Sequence, residues 1–353
     1  MRRHLAVGAL GLALALAGCT GDGDAGADDD GAATTTEDTT GDTTEDPTDG
    51  STVEVPGQVL GAAAASVTPS SPTAGSVAVP CHDRLCVWDL GGGLVSDTWV
   101  AAGSDVTATA WSPDGATLAV AAAGPGSVLL LDGTTGEETT SIEVPGDVHA
   151  LAFDPGGAQV AVGTDDGVTV LDVGPPEGSA STGATTTAIT GEVVDLAYAP
   201  DGGRVAVAFA TGAPAVHDAA TYALLVTLGD AAAGHLSWDA TGDGIVVGGP
   251  SGAALHRSAD GEVLAASEDA LGGAGVTDVA VEPGTDTVAV ATDDRRVLLW
   301  RPGGETEELG RGVAATGALL WSGGLYGAAP DVVSKWRTPA SPAAFDFDLP
   351  PFD

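Results

Sequence analysis

The stretch VHALAFDPGGAQVAVGTDDGVTVLD, residues 148–172, contains three short apolar runs separated by two turn signals. The first run ends at Phe153 before Asp-Pro-Gly, the second ends at Val162 before an Asp-Asp-Gly turn, and the third ends at Leu171. Short runs bounded by Gly, Pro and Asp predict β-strands joined by tight turns. We therefore expect this stretch to form three consecutive strands.

The same pattern recurs along the chain. With Phe153 as the anchor, the equivalent positions are Val67, Trp111, Tyr198, Trp238, Val281 and Trp321. Successive anchors are 44, 42, 45, 40, 43 and 40 residues apart. A period near 40 built from short strands is typical of β-propeller blades. We predict an all-β fold over residues 55–353, a seven-bladed propeller of four-stranded antiparallel blades. Residues 52–55 or 344–349 are expected to supply the fourth strand of the last blade.

The N-terminal segment predicts export. Residues 1–18 combine a positive start with an apolar run of 12 residues from Leu5 to Leu16, which is too short to span a bilayer and is typical of a signal peptide. LAGC, residues 16–19, resembles the lipobox of bacterial lipoproteins. That resemblance implies a lipid such as palmitate on Cys19 and a location on the extracytoplasmic side of the cell membrane. An ordinary secretory signal with an incidental cysteine is the alternative.

Residues 19–54 predict a disordered tether. Between Thr20 and Glu54 there are 12 acidic residues, ten threonines and no basic residue. Such a segment cannot bury enough apolar surface to offset its chain entropy.

The rest of the chain is also strongly acidic. The whole sequence carries a net charge of −39, and 38 acidic and nine basic residues, about −29, remain outside the signal peptide and tether. A surface of this charge repels nucleic acid and anionic lipid headgroups. We therefore expect no nucleic-acid partner, membrane contact only through the lipid anchor, and a monomer. Cationic partners, divalent ions, solubility and adaptation to high salt are all consistent with the charge.

Two cysteines, Cys81 and Cys86, lie where the second and third strands of the first repeat meet. Four residues between paired positions would place them opposite each other across a hairpin, within reach of a disulfide. Disulfides persist in exported proteins. Zinc is a poor alternative, because the spacing is not C-x₂-C and a tetrahedral site needs more ligands. We predict a disulfide.

The turns between repeats resemble those of a known family. WSPDG at residues 111–115, YAPDG at 198–202 and the Trp-Asp pair at 88–89 are similar to the WD repeat, and SVLLLDGTTG at 127–136 is similar to the YVTN repeats of microbial surface proteins. The resemblance covers residues 60–337. It implies a scaffold or ligand-binding propeller, and no particular reaction.

The chain shows no catalytic motif. It lacks a G-x-S-x-G elbow, an H-E-x-x-H helix and a C-x-x-C pair, and its sole lysine, Lys335, excludes a P-loop. His217 and His256 stand where other repeats have Trp88 and Trp300, which indicates a packing role.

One slot on the innermost strand varies in an informative way. Three residues before the anchor, four repeats have alanine and three consecutive repeats have Asp195, His235 and Asp278. These side chains are expected to line one sector of the central channel. They bind either a divalent cation or polar ligand group, or only channel water and backbone; the second alternative is the simpler one.

Two functions remain open. The first is a lipid-anchored extracytoplasmic propeller that binds an envelope protein or a small ligand on one face, without enzymatic activity or a cofactor. The second is a propeller enzyme, similar to a lactonase or a quinone-dependent dehydrogenase, that uses channel acids and a divalent metal.

Overall fold

The computed structural model describes residues 66–67, 76–81, 84–89, 93–96, 106–122, 126–173, 183–230, 232–267, 271–311, 318–321, 324–329, 332–336, 338 and 345–348. All of them belong to the unit Pro47–Asp353. The predicted signal peptide (1–18), Cys19 and the tether (19–54) lie outside the described residues and stay predictions. Within the described ranges, no helix is long and apolar enough to cross a membrane.

The described strands form seven four-stranded sheets, which we number 1–7 in chain order. Each sheet consists of four consecutive strands paired antiparallel. Sheets 1–3 contain β1 Ser66–Val67, β2 Ser76–Cys81, β3 Arg84–Asp89, β4 Gly93–Ser96; β5 Val106–Trp111, β6 Thr117–Ala122, β7 Ser127–Asp132, β8 Glu138–Glu143; and β9 Val148–Phe153, β10 Gln159–Thr164, β11 Gly167–Asp172, β12 Ala184–Thr190. Sheets 4 and 5 contain β13 Val193–Tyr198, β14 Arg204–Phe209, β15 Ala215–Asp218, β16 Leu224–Thr227; and β17 His235–Trp238, β18 Gly244–Gly249, β19 Gly252–Arg257, β20 Val263–Ala266. Sheets 6 and 7 contain β21 Val276–Val281, β22 Val288–Thr292, β23 Arg296–Trp300, β24 Thr306–Arg311; and β25 Ala318–Trp321, β26 Leu325–Ala329, β27 Val332–Trp336, β28 Phe345–Asp348.

The predicted repeat is confirmed at the level of single residues. Every sheet's first strand ends at one of the predicted anchor residues. The turn after β5 shows why the chain reverses there. Asp114 accepts hydrogen bonds from the Ser112 hydroxyl (2.7 Å) and the Ala116 N–H (3.0 Å), and Gly115 has φ of 70°. Glycine takes this left-handed conformation without steric cost.

The first strands form the inner ring of the fold. Each contacts the first strand of the next sheet, and β25 contacts β1, so the ring is closed. The apolar core lies between neighbouring sheets rather than inside one of them. For example, Val170 of sheet 3 and Val205 of sheet 4 are buried in the same cluster. This arrangement is a β-propeller.

The structure corrects the predicted fold class, a seven-bladed propeller of four-stranded antiparallel blades. Six of the sheets are regular blades, with strands of four to seven residues, whereas the described first strand of sheet 1 has only two residues, Ser66–Val67. The segment before Val67 reads GAAAAS, residues 61–66. Alanine is depleted in strands because its small side chain packs little surface against a neighbouring sheet. The composition before Val67 is therefore unfavourable for a longer inner strand in this sheet.

The last sheet obtains its fourth strand from the C-terminal segment. β28 pairs with β27 through Val332–Asp348, Val333–Phe347, Ser334–Asp346 and Lys335–Phe345. Of the two alternatives left open, residues 344–349 supply the strand. Each described sheet consists of consecutive strands, so no described sheet combines strands from both ends of the chain. The ring therefore closes through contact between β25 and β1.

The two cysteines of sheet 1 are not directly opposite each other. Cys81 pairs with Arg84, and Cys86 pairs with Val79, so they lie two positions apart along the ladder between β2 and β3. The predicted register was wrong by this amount. Cys86 is fully buried. The disulfide itself stays a prediction.

Close packing between sheets 3 and 4 depends on Gly163 in β10. A Cβ atom at this position would lie 2.5 Å from Val193 Cγ1 and 3.1 Å from Leu196 Cδ2. We expect Gly163→Ala to lower the free energy of unfolding by about 1–3 kcal/mol, because an added methyl overpacks this interface. Urea unfolding measures the change. Gly234→Ala is the control, since nothing lies within 4 Å of its Cβ position. Equal effects of the two substitutions would contradict the packing argument.

Candidate functional site

The three predicted channel residues lie on consecutive inner strands. Asp195 lies on β13, His235 on β17 and Asp278 on β21. His235 Nδ1 is 3.6 Å from Asp278 Oδ1, and the two side chains are 26% and 19% exposed. Asp195 is close enough to Asp278 to affect its ionisation. His235 and Asp278 are therefore neighbours, and a site shared by all three residues stays a prediction.

Both carboxylates accept hydrogen bonds from backbone N–H groups. An inner strand is first in its sheet, so one of its edges has no strand partner and its N–H groups need other acceptors. Asp195 accepts from its neighbour Leu196 and from Leu236 of the next inner strand, each at 2.8 Å. Asp278 accepts from Val279 at 2.8 Å and from Leu319 of the next inner strand at 2.6 Å. Each carboxylate thus links two neighbouring sheets.

Two tryptophans complete these links, a role that sequence reasoning missed. Trp238 donates its indole N–H to Ala197 O at 2.9 Å, and Trp321 donates to Ala280 O at 3.1 Å. The carboxylate and the indole reach across one interface from opposite sides, and in both bonds the N–H donor belongs to the later sheet. We call each carboxylate–indole pair a clasp; one joins sheets 4 and 5, and the other joins sheets 6 and 7.

A signal for the clasps is present in the sequence. In both cases the aspartate precedes the tryptophan of the next repeat by 43 residues, from 195 to 238 and from 278 to 321. The aspartates were predicted as channel residues and the tryptophans as repeat anchors, without a link between them. Their pairing becomes evident only when the sheets are placed side by side.

Burial changes the ionisation of all three channel residues. Desolvation raises the pKa of Asp195 to about 7 and that of Asp278 to about 8, with the nearby Asp195 carboxyl adding to the second shift. The backbone N–H bonds act in the opposite direction because they favour the ionised form. Desolvation also lowers the pKa of His235 to about 4. Near neutral pH, His235 is therefore uncharged and the two carboxyls retain part of their protons.

This arrangement supports a structural role for the two aspartates. All four carboxylate oxygens of Asp195 and Asp278 already accept a backbone N–H. Binding of a divalent cation or polar ligand group by Asp195, His235 and Asp278 stays a prediction.

A second group was not predicted from the sequence. In the described part of the chain, one set of three side chains brings potential metal-ligand atoms within 4.8 Å of one another, namely His149, Asp165 and Glu192. His149 Nε2 lies 2.6 Å from Asp165 Oδ1, and this hydrogen bond lowers the pKa of Asp165. All three side chains are exposed. They come from a strand and two connections, which is why no local motif marks them.

The two histidines in the tryptophan slot are packed as predicted. His217 and His256 are buried, with 7% and 4% of their surface exposed. Their Nδ1 atoms lie 3.2 Å from Tyr222 O and 3.1 Å from Gly261 O. Burial lowers the pKa of His217.

Comparison with known proteins identifies the fold. The sequence matches no protein-family model, and no curated protein is similar enough to count as a match. The β-propeller domain of Cps50 (Swd1) from Myceliophteria thermophila has 14% identity and a TM-score of 0.62, covering 83% of this chain and 98% of that one. The WD40 repeats of RRP9 have 18% identity and a TM-score of 0.63, covering 78% and 89%. A chain of the Mitotic Checkpoint Complex has 18% identity and a TM-score of 0.62, covering 83% and 95%. The chain therefore has the WD40 β-propeller fold.

Proposed function

We propose that this protein is a lipid-anchored scaffold on the extracytoplasmic side of the cell membrane, which binds a protein partner. The observation that carries the proposal is the WD40 propeller fold, which is consistent with protein binding. A chain of a multiprotein complex has the same fold. The location rests on the lipobox-like residues 16–19 and the acidic tether.

The contacts of the channel residues also support a scaffold. A propeller enzyme of the kind considered above would direct its channel acids at a substrate or metal. Here Asp195 and Asp278 bond to backbone N–H groups of neighbouring sheets and hold the ring together. We therefore propose a role without catalysis. Metal or quinone bound stoichiometrically in the purified protein would contradict it.

Comparing the wild-type protein with a Cys19→Ser variant tests this proposal. We expect the wild type to sediment with membranes and the variant to be released, because removal of the thiol removes the acyl chains that supply the membrane affinity. A Thr20→Ser variant is the control and should sediment like the wild type. After crosslinking in intact cells, the wild type should co-purify with an envelope protein. A membrane-bound Cys19→Ser variant would contradict the anchor, and the absence of any crosslinked protein would contradict the scaffold.

A further inference from the structure

In the described part of the chain, the large exposed apolar side chains lie on the outer strands of sheets 4 and 5. Leu224 and Leu225 on β16 are 58% and 53% exposed, and Val263 and Leu264 on β20 are 53% and 46% exposed. Single exposed apolar residues are common on protein surfaces, but two adjacent pairs on neighbouring sheets form a patch. We call these four residues the rim patch.

A β-bulge exposes both members of each pair. Between β15 and β16, Val216 pairs with Val226 and His217 pairs with Leu224, so Leu225 is the extra residue. Between β19 and β20, Leu255 pairs with Ala265 and His256 pairs with Val263, so Leu264 is the extra residue. A regular strand would turn alternate side chains toward the core, whereas the bulge leaves two consecutive side chains in solvent.

Two other sheets are polar at the same positions. The equivalent pairs, located by their register against the third strand, are Glu138–Thr139 in sheet 2 and Thr306–Glu307 in sheet 6. Sheet 3 has Ala184–Thr185, and sheet 1 has the apolar pair Leu94–Val95. A blade does not require apolar side chains in this position, because sheets 2 and 6 form without them, so the exposed pairs of sheets 4 and 5 are available to a partner.

The rim patch adjoins a cavity between sheets 4 and 5. The cavity has a volume of about 230 Å³, and its walls include Leu228 from the end of sheet 4 and Ala254, His256 and Val263 from sheet 5. Val263 thus belongs both to the cavity wall and to the rim patch. A cavity of this size accommodates one large apolar side chain.

The turn before β20 touches the strand that carries the other half of the rim patch. A Cβ atom on Gly261, two residues before Val263, would lie 2.5 Å from Thr227 O and 3.0 Å from Val226 Cγ2. The turn that leads into β20 therefore packs directly on β16.

The charge around the rim patch is negative. Asp230 lies on the cavity wall and is exposed. Asp260 and Glu262 lie in the turn just before Val263, with side chains 55% and 60% exposed. Arg257, the only lysine or arginine between residues 211 and 267, pairs with both of these carboxylates. The surface around the apolar side chains thus complements a positively charged partner.

The rim patch is too small for a second folded copy. Four half-exposed side chains offer far less than the roughly 800 Å² per partner that a stable protein–protein interface buries. A short extended segment needs less area, because it also bonds to backbone. β16 and β20 are last in their sheets, so their outer edges have no strand partner among the described residues. Such an edge can accept an added strand.

We propose that the rim patch docks an extended, positively charged segment of a partner protein. The segment lies along the outer edges of sheets 4 and 5. Its apolar side chains cover Leu224, Leu225 and Leu264, and one of them fills the cavity beside Val263. Its lysines or arginines face Asp230, Asp260 and Glu262. This inference rests on the scaffold function proposed above and identifies the class of partner.

Peptide binding to the full chain tests the proposal. The probe is a fluorescein-labelled peptide of alternating leucine and lysine, about eight residues long, followed by fluorescence anisotropy. The rim variant carries Leu224→Glu, Leu225→Thr, Val263→Thr and Leu264→Glu, which copy the residues of sheets 2 and 6. We expect its dissociation constant to be at least about tenfold higher than that of the wild type. The control variant, Ala184→Thr with Thr185→Glu, changes the equivalent positions of sheet 3 and should bind like the wild type.

The outcomes separate this proposal from the scaffold function. Equal binding by the rim variant, or equal binding of a serine–lysine peptide by the wild type, would overturn the docking site. Self-association of the wild type that the rim variant abolishes would overturn it in favour of a contact between two copies. If the rim variant folds normally and still crosslinks to the same envelope protein in cells, the scaffold function stands and the docking site fails. Failure of the scaffold function would instead leave the wild type itself without a crosslinked partner.

Discussion

Replacing Trp238 by alanine is expected to lower the free energy of unfolding by about 3–5 kcal/mol. The side chain is 9% exposed and lies in the apolar cluster between sheets 4 and 5. Its indole N–H donates to Ala197 O, and the Arg204 guanidinium lies 5.3 Å from the ring centroid. Alanine would leave a cavity and remove the indole donor at the same interface. Urea unfolding followed by intrinsic fluorescence and circular dichroism measures the loss.

A phenylalanine variant separates packing from hydrogen bonding. Trp238→Phe keeps most of the apolar surface and removes the N–H donor, so we expect a loss of about 1–2 kcal/mol. If alanine and phenylalanine had the same small effect, Trp238 would not be part of a clasp that stabilises the fold.

The stability of the fold is expected to decrease between about pH 6.5 and pH 8. The ordinary pKa of an aspartate is 3.8, whereas burial raises that of Asp195 to about 7 and that of Asp278 to about 8. In this window the folded chain therefore holds protons that the unfolded chain has already released. The free energy of unfolding should fall by about 1.4 kcal/mol per pH unit for each carboxyl that is still protonated in the folded chain. The fall due to Asp195 therefore levels off above about pH 7, and the fall due to Asp278 levels off above about pH 8.

His235 acts in the opposite direction at lower pH. Burial lowers its pKa from 6.5 to about 4, so between these values the unfolded chain binds a proton that the folded chain does not. Its contribution to stability thus increases as the pH rises from about 4 to 6.5, and it offsets one of the two carboxyls. Above that range His235 is neutral in both states, and the effect of the carboxyls is no longer offset.

A double variant tests the origin of this pH dependence. Asp195→Ala with Asp278→Ala is compatible with the fold, because Ala108, Ala150 and Ala318 occupy the same slot in other sheets. We expect its stability to be nearly constant between about pH 6.5 and 8. At about pH 6 it should be lower than that of the wild type, because the wild-type carboxyls are then mostly protonated, so their burial costs less and their hydrogen bonds to neighbouring sheets remain. Parallel pH profiles for the two proteins would show that the carboxyls are not responsible.

The repeat and its anchors could be predicted because they follow from local chemistry. Proline and glycine require particular turn dihedrals, and each turn follows directly on an apolar strand. Trp111 and Phe153 therefore mark the ends of inner strands without any tertiary information. The same reasoning failed in the first repeat, because it counted the turn after Val67 as evidence for a full strand before it. The alanines of residues 61–66 provide little surface for that strand to pack.

Local sequence patterns predicted the positions of the channel residues but not their contacts. Asp195, His235 and Asp278 could be found from the sequence because they occupy the same slot of consecutive repeats. The role of Asp195 and Asp278 as hydrogen-bond acceptors could not be predicted, because the donors, Leu236 and Leu319, belong to the next sheet in each case. The rim patch was missed for a related reason. Leu224 and Leu225 look like core residues in the sequence, and only the bulge turns both of them outward.

The sequence by itself determined the strand rhythm, the turn chemistry, the acidic charge and the slots that vary between repeats. These features depend on residues within a few positions of one another, so the linear order contains them. The tertiary structure decided which C-terminal strand completes the last sheet, which N–H groups the buried aspartates bond, and which apolar side chains face solvent. The aspartate bonds join residues 41 positions apart on neighbouring sheets, and the other two features depend on how strands pair within one sheet. None of these contacts exists before the strands have paired and the sheets have packed.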